Sequence, residues 1–252
     1  MSGVAPPSDT TPTQALILSG GLGTRLGAAA TVTPKHLMPV AGEPFAHHQL
    51  RWLAANGITE IVECVGHLGD AIEDALGDGS PFGVSIRYVH DGPELLGTGG
   101  AIAAARAELH DAFVVVYGDS FLRLDLDEVR AAWRDTPAQT DSLMCVFRNE
   151  GRFDTPNVYR DSAGRFTYDK RADDVTRATM QYIDYGLSVL TTAFVDGRLP
   201  PTGAYDLADA LCAASLAGTM VGLEVRDRFY EIGTPATLAE LDAYLRSTGS
   251  AT

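Results

Sequence analysis

Short apolar runs alternate with helix-like stretches through the first half of the chain. Strands are predicted where the apolar residues are continuous, at residues 15–18, 60–65, 84–90 and 113–116. Helices are predicted between them, at residues 45–56, 70–76 and 99–109. In the first helix Phe45, Leu50 and Leu53 follow helical spacing, and Gly57 is placed to end it. This alternation predicts an open, mainly parallel sheet with helices on both faces.

The pattern changes after residue 141, where strands follow one another with few helices between them. These strands are predicted at residues 143–147, 158–160, 165–169 and 182–190. A helix at 206–216, a strand at 220–225 and a last helix to about Arg246 close the chain. The whole pattern predicts an α/β protein with a Rossmann-like, doubly wound, mainly parallel sheet and an antiparallel extension. Ligands of such sheets bind beyond the carboxyl ends of the strands.

The chain has 252 residues and a formal net charge of -14, from 33 acidic and 19 basic side chains. A protein that binds nucleic acid or an anionic membrane needs a basic surface, because phosphate groups dominate those contacts. The acidic balance therefore predicts that neither nucleic acid nor a membrane is a partner. No apolar run approaches the about 20 residues that a membrane-spanning helix requires, which supports the same expectation.

Three cysteines, Cys64, Cys145 and Cys212, lie far apart, each within an apolar stretch. This spacing indicates buried small side chains rather than a disulfide framework or a metal cluster. It fits a protein of the reducing cytoplasm. Residues 1–13 are rich in Ser, Thr and Pro and lack the basic and apolar regions of a secretory signal, so we expect a disordered lead-in.

Only two of the nineteen basic residues are lysines, Lys35 and Lys170. Lysine differs from arginine in presenting a compact charge on a flexible stem, which suits contact with a phosphate group. Because the chain uses arginine at every other basic position, these two lysines are candidates for phosphate contacts.

The first predicted strand opens into a glycine-rich loop, Ser19-Gly20-Gly21-Leu22-Gly23-Thr24-Arg25. Successive backbone N–H groups in such a loop can converge on phosphate oxygens, because no Cβ atom blocks the approach. The loop lacks the Gly-Lys-Ser/Thr ending of a P-loop ATPase or kinase. Leu26 stands where the dinucleotide fingerprint needs a small residue, which argues against a nicotinamide-dependent dehydrogenase.

The glycine loop is followed by a second motif, Thr33-Pro34-Lys35-His36-Leu37-Met38-Pro39-Val40. It places Lys35 beside a rigid proline, and the two segments together indicate a cationic cradle for phosphate groups. They resemble the signature of the sugar-1-phosphate nucleotidylyltransferases, in particular the short, single-domain bacterial members. Further matches follow in that family's order: Pro93-Glu94-Leu95-Leu96-Gly97-Thr98-Gly99-Gly100-Ala101, Tyr117-Gly118-Asp119, Asp169-Lys170, Asp184-Tyr185-Gly186 and Glu231-Ile232-Gly233-Thr234-Pro235.

The resemblance implies an enzyme that joins a nucleoside triphosphate to a sugar 1-phosphate, releases pyrophosphate and uses Mg²⁺. An already ionised phosphate attacks the α-phosphorus in line, so the chemistry needs cations and positioning more than a base. On this mapping Arg25 and Lys35 are the catalytic cations. The implied nucleotide-binding residues are Ser19, Gly20, Gly21, Gly23, Thr24, Gly97, Thr98, Gly99 and Gly100. The implied residues for the sugar phosphate and sugar hydroxyls are Asp169, Lys170, Asn157, Asp184 and Gly186.

Two carboxylates are the implied metal ligands. Asp119 follows the predicted strand at 113–116, and Glu231 lies shortly before the last predicted helix. Oxygen ligands from two carboxylates and from substrate phosphates suit Mg²⁺. Family members most often carry Asp at the second position, so Glu231 is a departure that preserves the charge.

The resemblance spans residues 15–240 and implies a single domain of the nucleotide-diphospho-sugar transferase type over residues 14–247. Residues 14–141 are expected to form the nucleotide-binding half. Residues 142–235 are expected to form the sugar-binding half and to supply a metal ligand, and residues 236–247 a closing helix.

The segment Gly97-Thr98-Gly99-Gly100 matches the loop that lies against the base in this family, where small residues let the backbone bond the base edge. It is closer to guanylyl- and uridylyl-transferring members than to thymidylyl-transferring ones, which usually have a glutamine there. We expect GTP with heptose or mannose 1-phosphate, and UTP with N-acetylmuramate or glucose 1-phosphate is the alternative. A catalytically silent protein that binds a nucleotide sugar and regulates a partner is the alternative from another class. The oligomeric state, including a homodimer, stays open.

Overall fold

The computed structural model of the chain describes residues 11–249, so most of the predicted lead-in at residues 1–13 lies outside the described residues. The strands are β1 (Gln14–Leu18), β2 (Pro39–Val40), β3 (Glu43–Pro44), β4 (Glu60–Val65), β5 (Ser85–His90), β6 (Ala112–Tyr117), β7 (Ser120–Phe121), β8 (Ser142–Phe147), β9 (Val158–Arg160), β10 (Phe166–Tyr168), β11 (Ile183–Thr191), β12 (Met220–Val225) and β13 (Tyr230–Glu231). The α-helices are α1 (Phe45–Ala55), α2 (Gly69–Leu76), α3 (Gly97–Ala104), α4 (Leu126–Arg134), α5 (Asp174–Arg177), α6 (Thr192–Arg198), α7 (Leu207–Ala217) and α8 (Pro235–Thr248). Short 3₁₀ helices cover Thr24–Thr31, Lys35–Leu37, Ser80–Phe82 and Arg106–Glu108.

Seven strands form the central sheet, in the order β12-β8-β11-β6-β1-β4-β5. β1 lies between β6 and β4 and is parallel to both, and β4 is parallel to β5. β12 is parallel to β8, whereas β11 runs antiparallel to both of its neighbours, β6 and β8. The predicted α/β class with a mainly parallel sheet is confirmed.

Each face of the central sheet carries its own apolar core, because successive side chains of a strand point to opposite faces. In β1, Ile17 packs in the core that includes residues of α1, α2 and α4. Its neighbour Leu16 packs in the core that includes residues of α3, α6 and α7. Strands covered on both faces read as continuous apolar runs rather than alternating ones, which explains why the pattern at residues 15–18 and 113–116 predicts buried strands.

The predicted antiparallel extension divides between two places. β8 and β11 join the central sheet, whereas β9 and β10 form a separate two-stranded hairpin. The hairpin packs on α7, where Tyr168 N donates a hydrogen bond to Ser215 Oγ at 3.2 Å. Phe166 of β10 lies against Gly222 of β12. These contacts fix the position of the residues that follow β10, including Lys170.

The last part of the chain returns to the loop after β6. β13 pairs antiparallel with β7, so that Glu231 lies opposite Ser120. α8 begins with a capping box between Thr234 and Thr237 and packs in a third apolar core together with Phe45 of α1. Glu231 is thereby brought beside a loop from the other half of the sequence.

Four helices differ from the predicted elements, and three of them, α4, α5 and α6, have no predicted counterpart. α3 begins at Gly97 rather than Gly99, so the segment 97–100, expected as a loop, forms the first turn of a helix. No helix is predicted for residues 126–134, which form α4. Its N-cap is Asp125, whose carboxylate accepts a hydrogen bond from Asp127 N. Three buried side chains at helical spacing, Leu126, Val129 and Trp133, are the signal that could have identified α4.

The three cysteines are free thiols. Cys64 and Cys145 are buried, and burial raises the pKa of both thiols, which makes them unreactive. Cys212 is partly buried. Across residues 11–249, we find no helix whose length and apolar character would allow it to cross a membrane.

Gly222→Ala is expected to destabilise the fold by about 1–3 kcal/mol, since overpacking forces neighbouring groups to move. The new Cβ atom would lie 2.2 Å from Phe166 Cδ2, and relief requires the β9–β10 hairpin to shift away from β12. The measurement is the free energy of unfolding in urea. Gly197→Ala in α6 is the control, because no described atom lies within 4 Å of its Cβ position and alanine favours the helix. Equal stability of G222A and the wild type would contradict this packing.

Candidate active site

A cavity of about 270 Å³ opens beyond the carboxyl ends of β1 and β6. Its walls come from the glycine loop, the turn at Lys35, the start of α3 and the loop that carries Asp119. The predicted nucleotide-binding residues that line it are Ser19, Gly20, Gly21, Gly23, Gly97 and Thr98. Thr24, Gly99 and Gly100 are not among its lining residues. The structure therefore brings two glycine-rich segments together with one lysine and two carboxylates, Asp91 and Asp119.

Close backbone approaches shape the glycine loop. Ser19 N donates a hydrogen bond to Cys64 O at 2.9 Å, which anchors the start of the loop to β4. A Cβ atom on Gly118 would lie 2.5 Å from Ser19 Oγ, so glycine at this position lets the loop after β6 pack against Ser19. Gly23 has a φ of 62°, in the left-handed region that favours glycine. The loop thus depends on glycine for its shape as well as for access to its N–H groups.

Two cations meet next to Gly233. Lys35 lies in a single 3₁₀ turn after Pro34, and its Nζ atom forms an ion pair with Asp119 Oδ2. A Cβ atom on Gly233 would lie 3.4 Å from an Nη atom of Arg25 and 3.7 Å from Lys35 Nζ. The structure therefore brings the two predicted catalytic cations, Arg25 and Lys35, to the same place.

Asp119 and Glu231 are the two carboxylates at this place. Ile232 N donates a hydrogen bond to Asp119 O at 3.0 Å, which joins β13 to the loop after β6. Burial and the negative charge of Asp119 raise the pKa of Glu231 to about 7, although Lys35 and Arg25 act in the opposite direction. The carboxylates therefore repel each other in a partly buried setting, a condition that a divalent cation relieves.

The oxygen donors of Asp119 and Glu231 fit Mg²⁺, which is usually held by one or two carboxylates together with waters and substrate phosphates. Within residues 11–249, no group of three or more His, Cys, Asp or Glu side chains is arranged to hold a metal ion. A metal ion at this pair of carboxylates would therefore take its remaining oxygen ligands from water and from a bound substrate.

The residues of the segment 97–100 face two different environments. Gly97 and Thr98 line the cavity, whereas the N–H groups of Gly99 and Gly100 donate to Tyr205 O at 2.8 and 3.2 Å. A Cβ atom on Gly100 would lie 2.6 Å from Gly203 O, two residues before Tyr205. The N–H groups of Gly99 and Gly100 are therefore already used within the protein, and Gly97 and Thr98 are the members of this segment that line the cavity.

Asp206 links the start of α3 to the second lysine. Its Oδ1 accepts a hydrogen bond from Thr98 Oγ1 at 3.1 Å, and its Oδ2 accepts one from Lys170 Nζ at 3.5 Å. Burial alone would raise the pKa of Asp206, but hydrogen bonds from Ala208 N and Thr98 and the charge of Lys170 lower it below its usual value. Asp206 is not predicted as a site residue from the sequence, because an aspartate before a helix is the ordinary signal of an N-cap.

The other predicted sugar-side residues form a hydrogen-bonded group. Asn157 Oδ1 accepts from Asp184 N at 2.9 Å, and Asp184 Oδ1 accepts from Gly186 N at 2.9 Å. Asn157 O accepts from Asp169 N at 2.9 Å. Burial raises the pKa of Asp184 to about 6, although the Gly186 bond and the charge of Lys170 lower it. The group joins β11 to the ends of the hairpin, and none of its members lines the 270 Å³ cavity.

A family model described as Nucleotidyl transferase matches residues 14–152, more than half of the chain. The matched range includes the glycine loop, Lys35, the start of α3 and Asp119. Lys170 and Glu231 lie outside it.

Two curated relatives match a similar share of the chain. The N-acetylmuramate alpha-1-phosphate uridylyltransferase of Neisseria meningitidis serogroup B is 43% identical over 113 residues, which is 44% of this chain and 49% of that protein. The D-glycero-alpha-D-manno-heptose 1-phosphate guanylyltransferase of Aneurinibacillus thermoaerophilus is 36% identical over 114 residues, which is 45% of this chain and 49% of that protein. The chain thus spans about half the length of these curated relatives.

One solved structure extends the likeness to nearly the whole chain. The inositol-1-phosphate CTP transferase from T. maritima is similar with a TM-score of 0.74 and 20% sequence identity. The similarity covers 94% of this chain and 97% of that chain. At this identity the likeness shows the fold alone, and it agrees with the doubly wound sheet described above.

Glu231→Gln is expected to make the free energy of unfolding of the metal-free protein less dependent on pH. The pKa of Glu231 is about 7 in the folded protein against 4.5 for an unperturbed glutamate, so between these values the folded chain holds a proton that the unfolded chain has released. As pH rises through this window, the wild type should lose on the order of 2–3 kcal/mol relative to E231Q. Urea denaturation of both proteins in a metal chelator, at about pH 5 and about pH 8, measures the difference. Identical pH dependence in the two proteins would contradict the placement of Glu231.

Proposed function

This chain belongs to the nucleotidyl transferase family, and from that membership we propose that it transfers a nucleotidyl group from a nucleoside triphosphate to a sugar 1-phosphate. One observation carries the proposal: Arg25 and Lys35 converge beside Gly233, and Lys35 also lines the cavity that is walled by the glycine loop and Asp119. The names of both curated relatives specify a sugar 1-phosphate, which supports this class of acceptor.

In the proposed reaction an oxygen of the sugar 1-phosphate attacks the α-phosphorus of the nucleotide, in line with the leaving group. A new P–O bond forms while the bond from the α-phosphorus to its bridging oxygen breaks, and pyrophosphate leaves with that electron pair. No proton has to be removed from the attacking oxygen, because the phosphate is already ionised. The task of the protein is to hold two anions together and to neutralise their charge.

We assign this neutralisation to Arg25 and Lys35. The N–H groups of the glycine loop and Arg25 hold the β- and γ-phosphates, and Lys35 lies at the α-phosphate and the incoming sugar phosphate. In the protein without ligands Lys35 pairs with Asp119, so its ammonium group is already held at the cavity wall.

Asp119 and Glu231 would hold Mg²⁺. When bound, the ion supplies charge neutralisation at the phosphates. Glu231 would bind it in the ionised form, and a pKa of about 7 means that the proton on Glu231 is readily displaced near neutral pH.

We place the sugar 1-phosphate next to Lys170. The side chain of Lys170 is 57% exposed and pairs with Asp206 at 3.5 Å, so a phosphate group can take over the contact. The sugar hydroxyls are assigned to the residues grouped around the same end of the hairpin, Asp169, Asn157, Asp184 and Gly186. On this assignment residues 14–141 form the nucleotide-binding half and residues 142–235 the sugar-binding half, with the helix at 236–247 closing the domain.

For the base we propose guanine, recognised by Asp91. The Asp91 side chain lines the cavity together with Gly97, and its Oδ2 accepts a hydrogen bond from Leu96 N at 3.1 Å. A carboxylate can accept from the adjacent N–H groups of guanine, whereas uracil presents one N–H between two carbonyl oxygens that a carboxylate repels. Heptose 1-phosphate, which the name of the guanylyltransferase relative specifies, or mannose 1-phosphate is then the preferred acceptor. UTP with N-acetylmuramate or glucose 1-phosphate is the second pairing.

The test of this function is pyrophosphate release with Mg²⁺ over a grid of the nucleoside triphosphates and the 1-phosphates of heptose, mannose, glucose and N-acetylmuramate. We expect turnover with GTP and heptose or mannose 1-phosphate. Lys35→Ala and Asp119→Ala should each lose most of that turnover while remaining folded by circular dichroism, because the first removes a cation at the reacting phosphates and the second removes a carboxylate that would hold Mg²⁺. Near-normal rates in either folded variant would refute its role. Nucleotide binding without turnover across the grid would instead favour a catalytically silent, regulatory protein.

Asp91→Asn is expected to lower the preference for GTP over UTP by about tenfold in kcat/KM, because an amide offers guanine one acceptor in place of two. The measurement is the ratio of kcat/KM for the two nucleotides with one sugar 1-phosphate. Glu94→Gln, at an exposed carboxylate of the same segment, is the matched control and should leave the ratio unchanged. An unchanged ratio in D91N would exclude Asp91 from base recognition.

A further inference from the structure

A group of polar side chains lies buried beneath the glycine loop, and most of its members have no role in the proposed reaction. We call Ser19, His36, Gln49 and Glu63 the buried network. His36 is 1% exposed, Gln49 2% and Glu63 0%. Polar groups at this depth need hydrogen-bond partners, so their arrangement is strongly constrained.

His36 is the centre of the buried network. Its Nδ1 lies 2.9 Å from Glu63 Oε1 and 3.1 Å from Ser19 Oγ, and its Nε2 lies 3.0 Å from Gln49 Oε1. Ser19 Oγ also donates a hydrogen bond to Glu63 Oε1. The other carboxyl oxygen, Glu63 Oε2, has no hydrogen-bond partner in the described part of the chain. His36 and Ser19 are therefore the groups that compensate for the burial of Glu63.

Gln49 determines which ring nitrogen of His36 donates. Its Nε2 donates to Tyr117 O at 2.9 Å and to Ser120 O at 3.1 Å, so its Oε1 faces His36 as an acceptor. His36 Nε2 must then carry a hydrogen. His36 Nδ1 and Glu63 Oε1 would both be acceptors without a further proton, so their contact requires one proton on one of these two atoms. With that proton the pair has no net charge, which suits complete burial.

The buried network touches three segments that line the cavity. Ser19 begins the glycine loop, and His36 directly follows Lys35 in one short 3₁₀ turn. The two carbonyl groups that Gln49 holds lie on either side of Asp119. Because these segments are far apart in the sequence, the network is a direct physical link among them.

We propose that His36 is a positioning residue for the cavity. Through Ser19, Glu63 and Gln49 it holds the glycine loop, the Lys35 turn and the Asp119 loop in one arrangement that binds polyphosphate. The inference rests on the proposed function for its meaning in catalysis, but its test uses inorganic pyrophosphate and requires no turnover. A network that served stability alone would affect unfolding without affecting the affinity of the folded protein.

The main variant is the double substitution His36→Leu with Glu63→Leu, which removes both members of the pair and leaves no buried charge unpaired. We expect a folded protein whose affinity for pyrophosphate in Mg²⁺, measured by calorimetry, is weaker by about tenfold or more. Glu63→Gln should keep the wild-type affinity, because its amide N–H can donate to His36 Nδ1 in place of the shared proton. Should the double variant fail to fold, Gln49→Met, of similar volume, breaks the same link and carries the same expectation.

His48→Leu is the matched control. His48 is also buried, at 9% exposure in α1, but its Nε2 bonds to Val40 O at 3.0 Å, outside the buried network. The control should lower the melting temperature and leave the pyrophosphate affinity unchanged.

Wild-type affinity in the folded double variant or in Q49M would overturn the proposal, and so would an equal loss in His48→Leu. A wild type that binds pyrophosphate but turns over no pair in the substrate grid would refute the proposed function, and the affinities of the variants would still decide the role of His36. A wild type that does not bind pyrophosphate would overturn both.

Discussion

Repulsion between anions is the constraint on which the site depends. The chain carries a net charge of -14, and the proposed substrates would add further negative charge at one point. Arg25 and Lys35 converge beside Gly233, and Lys35 pairs with Asp119. Glu231 responds to the same constraint, because without a cation its carboxyl group keeps a proton up to about pH 7. The site thus limits its own charge through an internal ion pair and a carboxyl group that retains its proton, and the phosphates of a bound substrate can replace the pair.

The order of the strands explains how residues from distant parts of the chain reach this point. β1 and β6 are parallel neighbours, so the loops that follow them, which carry Ser19 and Asp119, leave the sheet at the same edge. The pairing of β13 with β7 then adds Glu231 to that edge. Beneath them, the almost completely buried side chains of His36, Gln49 and Glu63, together with Ser19, join three segments that line the cavity. The central sheet sets the approximate positions, and the polar contacts set the distances.

Features that depend on local pattern were predictable from the sequence, and features that depend on long-range contacts were not. β1, β4 and β12 are continuous runs of mainly apolar residues, and the glycine loop follows directly from its composition and its place after a strand. Glu63 lies inside a correctly predicted strand, but its partner His36 comes from another part of the chain, so nothing local marks it as part of a network. Asp206 has the local pattern of an N-cap, which conceals its contacts with Thr98 and Lys170. The proposed roles of Arg25, Lys35 and the carboxylates Asp119 and Glu231 came from the resemblance to a family, because the hydrophobic pattern carries no information about them.

The position of Asp206 between Thr98 and Lys170 has a consequence for how each substrate affects the affinity for the other. A sugar phosphate that binds Lys170 as proposed competes with Asp206 for the ammonium group and alters the acceptor that holds Thr98 at the cavity wall. Occupancy on the sugar side would then change the affinity on the nucleotide side, and thermodynamic reciprocity requires an equal effect in the other direction. The two substrates would bind cooperatively, through one carboxylate and without any rearrangement of the sheet.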